Sequence, residues 1–175
     1  IIRWLSVMVN NINVLITTPV IKITDQNKNY FFLGEWCREL ENSIINPNNL
    51  ISISKHHWTS SKKLFSDFEY LEDLYEKLLR ILSKKLNKHH KTSLTIFQWR
   101  VILGPWLSVY LSSVFDKWET VRIFFEKKYD NLTTYDFDSS NEVFINYGTI
   151  DFIEKVTNDD LWHHKNYIRI IKFKF

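Results

Sequence analysis

Short β-branched and aromatic runs fill the first third of the chain, and helical stripes take over from residue 61. The run Asn13-Val14-Leu15-Ile16-Thr17-Thr18, stopped by Pro19, predicts a buried strand over 14–18. Tyr30-Phe31-Phe32-Leu33, ended by Gly34, predicts a second over 30–33, and Leu50-Ile51-Ser52-Ile53 a third over 50–53. Between them, residues 42–49 carry Pro47 and four asparagines and read as a loop. From Leu64 through Phe68, Leu71, Tyr75, Leu78 and Leu82 to Leu86, apolar positions recur at three- and four-residue steps, with charges on the remaining faces. That period predicts a helix over 61–88, with Thr59 or Ser60 able to cap it.

A second helical segment spans 94–126, and between Arg100 and Asp116 it holds no charge. The uncharged run is shorter than the ~20 residues of a membrane span, so it predicts a helix buried in protein. Gly104-Pro105 falls inside it, and a proline within a helix loses an amide donor and crowds the preceding turn, which predicts a kink or break there. A strand over 133–137, an acidic loop over 136–142 and short helices over 149–156 and 161–171 complete the pattern. Strands before, between and after helices indicate an α/β fold with short, mostly parallel strands and two long helices. Residues 1–13 read as an N-terminal extension and 14–175 as a single α/β domain.

Composition changes this picture little. Three glycines and three prolines in 175 residues favour long helices over turn-rich β structure. A net charge of +3, from 23 basic and 20 acidic residues, is too balanced to indicate nucleic acid. The single cysteine, Cys37, excludes an internal disulfide and thiol–disulfide chemistry and favours a reducing compartment. The apolar start, residues 1–9, is followed by Asn10 and Asn11 and no small-residue cleavage site, which speaks against a signal peptide.

Four clusters carry candidate chemistry. Glu35, Trp36 and Cys37 follow a strand and Gly34, at the strand edge where α/β sheets hold ligands; equally, they make a strand-to-helix turn with Trp36 and Cys37 as core. In His56-His57-Trp58 a histidine offers a general base or a helix-entry hydrogen bond. Arg100 is either a clamp for phosphate or carboxylate or the partner of an internal acid such as Glu35 or Asp116. Asp159, Asp160, His163 and His164 have helical metal-ligand spacing, but a capping role explains the acids, so no metal is expected there or elsewhere in the chain. No phosphate-binding glycine loop or known hydrolase signature occurs.

In order along the chain, Phe32-Leu33-Gly34-Glu35-Trp36-Cys37, His57-Trp58, Asp67-Phe68-Glu69-Tyr70-Leu71, Trp99-Arg100-Val101-Ile102-Leu103-Gly104-Pro105-Trp106 and Phe115-Asp116-Lys117-Trp118 resemble the opening of the transferases of bacterial O-antigen and related surface-carbohydrate loci. Asp160-Leu161-Trp162-His163-His164 resembles the same family more loosely. The resemblance implies the N-terminal half of a B-type glycosyltransferase, which takes a carbohydrate or lipid-linked acceptor while a C-terminal domain, missing from this chain, binds the nucleotide-sugar donor. It implies no cofactor in this chain, no nucleic acid, no transmembrane segment and a cytoplasmic location at the inner face of the membrane. By residue type, His57 or Glu35 would be the base, and Trp36, Trp58, Arg100, Gly104, Trp106 and Asp116 would bind substrate, with Glu35, His57, Arg100 and Trp106 converging on one surface. Thr59-Ser60-Ser61-Lys62 stands where the family pattern has acidic residues and an arginine. The alternative is a truncated, non-catalytic helical interaction domain.

Overall fold

The computed structural model describes residues 12–21, 25, 28–38, 51–137, 144 and 146–174. Four strands form one sheet: β1 (Asn13–Ile16), β2 (Asn29–Phe32), β3 (Ile51–Ile53) and β4 (Leu132–Thr134). The order is β3-β2-β1-β4 and every pairing is parallel, with Val14 opposite Tyr30 on one side and Thr133 on the other. Val14, Leu15 and Ile16 are buried in succession, as expected of a parallel strand covered on both faces. The expected fold class therefore holds, with β4 stopping three residues short of Phe137. The loop expected over 42–49, the extension over 1–11 and most of the acidic loop lie outside the described residues.

Two long helices separate β3 from β4. Helix α1 (Ser61–His90) is about 45 Å long at 1.5 Å per residue. Ser60 is its N-cap by position, but its side chain makes no capping bond. Lys91, in the left-handed region at φ 53°, ends the helix, and Asn87 accepts or donates across the turn to Leu94, Thr92 and the Trp99 indole. Helix α2 (Ile96–Phe124) opens with a capping box between Thr95 and Gln98 and packs back along α1. Their seam buries Leu79, Trp99, Leu107 and Leu111 among a wider leucine cluster. Two shorter helices, α3 (Thr149–Asn158) and α4 (Asp160–Lys174), pack on α2. Asp159 caps α4 by accepting from Trp162 N–H at 2.8 Å, the capping role expected of the Asp159-Asp160 pair.

Of the kink or break expected at Gly104-Pro105, the break does not occur: helix α2 runs continuously through it. Packing explains why. A Cβ on Gly104 would meet the Tyr75 hydroxyl of α1 at 2.6 Å, so glycine lets the two helices approach there. Leu103, Trp106 and Leu107, around the proline, all pack into the seam, and this burial offsets the lost hydrogen bond, since each large apolar side chain contributes about 1.5–3 kcal/mol. The uncharged run is also not buried all round: Val101 and Ile102 are exposed.

Candidate active site

The chain steps from β1 outward to β2 and β3, then crosses over the two long helices to β4 on the other side of β1. In an open parallel sheet such a reversal opens a crevice at the carboxyl ends of the strands. A cavity of about 250 Å³ lies there. Thr17, Thr18 and Pro19 enter it directly from the end of β1, Trp36 from the turn after β2, and His56 from the segment after β3. Asp116 of α2, Thr157 of α3 and Asp160, His163 and Tyr167 of α4 close it.

Each wall is fixed by identifiable contacts. Thr17 Oγ1 lies 2.7 Å from Nδ1 of the wholly buried His164, which ties the end of β1 to α4. The Trp36 ring lies over Gly34, where any side chain would collide with it, and it stacks on Tyr167 at 6.4 Å and 16°. Oδ1 of Asp116 is 2.9 Å from Nε2 of both His56 and His57. Trp58 N–H donates to His56 Nδ1 at 3.2 Å, and the Trp58 indole donates to Asp67 at 3.0 Å. Lys63 Nζ donates to both Asp67 oxygens, at 2.6 and 2.7 Å.

Electrostatics divide these groups into two kinds. Burial raises the Asp116 carboxyl, but the hydrogen bond from His57 and the charges of His56 and Lys117 outweigh it and hold Asp116 below the usual carboxylate range. Burial, helped by the Lys117 charge, lowers His163 against the opposing bond to the Val156 carbonyl and the charges of Asp160 and Asp159. The cavity thus presents an ionised carboxylate and a neutral imidazole at pH 7. Burial lowers Lys117 to about 8, opposed by Asp116. Its ammonium donates to Ser113 and lies over the Trp162 and Tyr167 rings, at 4.8 and 5.8 Å. Cys37 is buried, with its thiol raised to about 12 by burial, so it is core and not a nucleophile.

Not all of the sequence-expected residues reach this cavity. Trp36 and Asp116 line it, and His57 and Trp58 stand behind, connected through Asp116 and Asp67. Glu35 points outward, with 74% of its side chain exposed and Arg38 at 3.6 Å. Arg100 lies 16 residues before Asp116 on α2, about 24 Å along the axis. It makes a two-pronged pair with Glu76 of α1, not with Glu35 or Asp116. Gly104 faces Tyr75, and Trp106 stacks on Tyr110 and meets Phe152. Glu35, His57, Arg100 and Trp106 therefore do not converge. A larger hollow, about 610 Å³, adjoins Arg100, where Arg100 pairs with Glu76 and Glu72 and Asp73 add two further carboxylates. The residues not anticipated for the site are Thr17, Thr18, Thr157 and Tyr167, together with His56, Asp160 and His163 from clusters noted for other roles.

Among the described residues no helix is long and apolar enough to cross a membrane. Neither a curated protein nor a solved structure matches the chain. One family model does, over residues 13–175, a span that holds all four strands, all four helices and the whole cavity. The chain thus belongs to the LIC12162 family of transferases.

Proposed function

We infer that this chain is the acceptor-side domain of a glycosyltransferase of bacterial surface-polysaccharide (O-antigen) synthesis, built as the N-terminal half of a B-type enzyme, with the nucleotide-sugar held by a further domain. The observation that carries the reading is the cavity at the carboxyl edge of the sheet, where a neutral imidazole, an anchored carboxylate and an exposed indole face one small space. Its volume lies below the ~300–1,000 Å³ of pockets for drug-sized ligands and suits a single sugar ring. Trp36 offers an apolar platform for that ring, and Asp116 and Asp160 accept from its hydroxyls.

His163 is the base in this reading, in place of His57 or Glu35. Burial and the Lys117 charge keep its ring neutral, and it lines the cavity with one ring nitrogen unprotonated and able to accept. That nitrogen takes the proton of the acceptor hydroxyl as the oxygen bonds to the anomeric carbon, and the nucleoside diphosphate leaves with the electron pair of the broken bond. In transfer assays of the full-length protein, His163→Gln should lower kcat by ~10²–10⁴ with acceptor KM little changed. Trp36→Ala should raise acceptor KM. An unchanged kcat in His163→Gln would refute the assignment.

A further inference from the structure

Three side chains, two at the cavity wall and one behind it, meet in a way that proton transfer by His163 leaves unused. One ligand atom from each of His56, His57 and Asp116 lies within 4.8 Å of the others, and Asp116 Oδ1 is 2.9 Å from Nε2 of both histidines. His57 is the anomaly. Its side chain is fully buried between two carboxylates, with Asp116 Oδ1 at 2.9 Å from Nε2 and Asp67 Oδ2 at 3.7 Å from Nδ1. Nδ1 has no hydrogen-bond partner. A neutral imidazole has one N–H, so whichever nitrogen holds it, the other turns its lone pair toward a carboxylate oxygen. An unmade bond of that kind in a buried site is destabilising.

A cation between Nε2 and Asp116 removes the conflict. Nε2 then gives its lone pair to the metal, the proton sits on Nδ1, and Nδ1–H faces Asp67. Carboxylate, imidazole and metal in that order is how outer carboxylates orient metal-bound histidines. Asp67 is already held in place by Lys63 and the Trp58 indole.

The geometry points to a site for one divalent transition-metal ion of the zinc or cobalt type, held by His57, Asp116 and His56. Two imidazoles and a carboxylate suit such ions better than magnesium or calcium, which prefer oxygen alone. Three protein ligands leave a coordination position for substrate or water, and His56 and Asp116 both line the cavity, so that position opens into it. His56 is the weaker imidazole ligand. Its Nδ1 accepts from Trp58 N–H at 3.2 Å, which keeps the proton on Nε2, and the metal must reverse that arrangement. The site accounts for a pairing of His56 and His57 that a role for either histidine alone does not.

The test needs neither donor nor acceptor, so it stands or falls apart from the transfer reading. The metal-stripped chain is titrated with Co²⁺, followed by visible d–d absorption, and with Zn²⁺ by calorimetry. We expect one saturable equivalent. His57→Gln and Asp116→Asn should each weaken binding at least tenfold, and His56→Ala by less than either. Asp67→Asn keeps all three ligands and should weaken binding ten- to a hundredfold through His57 alone. Circular dichroism and thermal melts verify that each variant is folded, and Asp67→Asn decides the matter if His57→Gln is not. No saturable binding to the wild-type chain, or equal binding by wild type and the folded Asp116→Asn and Asp67→Asn variants, overturns the site.

Discussion

The clearest quantitative consequence of the fold concerns His164. It is fully buried on α4, with Nδ1 on Thr17 and Phe137 against its ring. Burial lowers it from 6.5 to about 4. In the unfolded chain the same imidazole titrates near 6.5. Above pH 6.5 neither state is protonated and the group contributes nothing. As pH falls below 6.5 the unfolded chain takes up the proton first, so stability falls by about 1.4 kcal/mol per pH unit. Near pH 4 the folded state follows and the loss levels off at about 3 kcal/mol. At pH 5 the same linkage gives a loss of about 2 kcal/mol. The perturbation is His164→Leu, with His164→Asn as a second variant should leucine not fold. Urea unfolding at several pH values from 7 to 5 gives the slope for each protein. The lowered His163 and the carboxylates titrate in all of them, so the difference in slope isolates His164. Wild type should lose about 2 kcal/mol more than the variant over that range. Parallel slopes would show that His164 is not held neutral, and the tie between β1 and α4 would need a different account.

Two further outcomes follow from the helical packing. Gly104→Leu should destabilise the chain by about 1–3 kcal/mol in chemical denaturation, because its side chain meets the Tyr75 hydroxyl, and Tyr75→Phe should recover part of the loss; additive effects would dissociate the two positions. Lys117→Met should remove an alkaline gain in stability. Lys117 is 3% exposed and lowered from 10.5 to about 8, so the unfolded chain binds the proton more tightly between those values. Relative to the methionine variant, wild type therefore gains up to about 3 kcal/mol as pH rises through that window, the raised Cys37 and tyrosines titrating alike in both; equal profiles would refute a charged, buried Lys117.

The fold was legible because its signals were local. Val14-Leu15-Ile16 and Tyr30-Phe31-Phe32 are β-branched or aromatic runs with stops at Pro19 and Gly34, and both became strands within two residues of the expected bounds. The stripe from Leu64 to Leu86 became α1, running two residues further than expected. The break expected at Gly104-Pro105 is absent for a reason that local rules cannot supply. The propensity cost of the pair is a property of α2 alone, whereas the compensating approach of Tyr75 belongs to α1, 29 residues earlier in the chain. The sequence shows that a glycine is present, but not which helix crosses it.

The site was legible by residue type and illegible by partnership. His57, Trp36 and Asp116 carried recognisable chemistry and do gather at the cavity or behind it. Arg100 carried an equally strong signal and sits elsewhere, because an arginine goes to whichever carboxylate the fold brings near, and α1 offers Glu76. The reverse holds for His163. Its neighbours Asp159 and Asp160 made it look like half of a metal pair on one helix, yet Asp159 is spent on capping α4. What makes His163 a candidate base is its burial and the Lys117 charge, supplied by α2. A histidine's chemistry depends on which charges face it across elements, and only the crossing of α2 over the carboxyl edge of the sheet sets Asp116 before His56 and His57 and Lys117 behind Tyr167. One helix therefore supplies both the carboxylate of the proposed metal site and the cation that adds to burial in keeping the proposed base neutral, through adjacent residues.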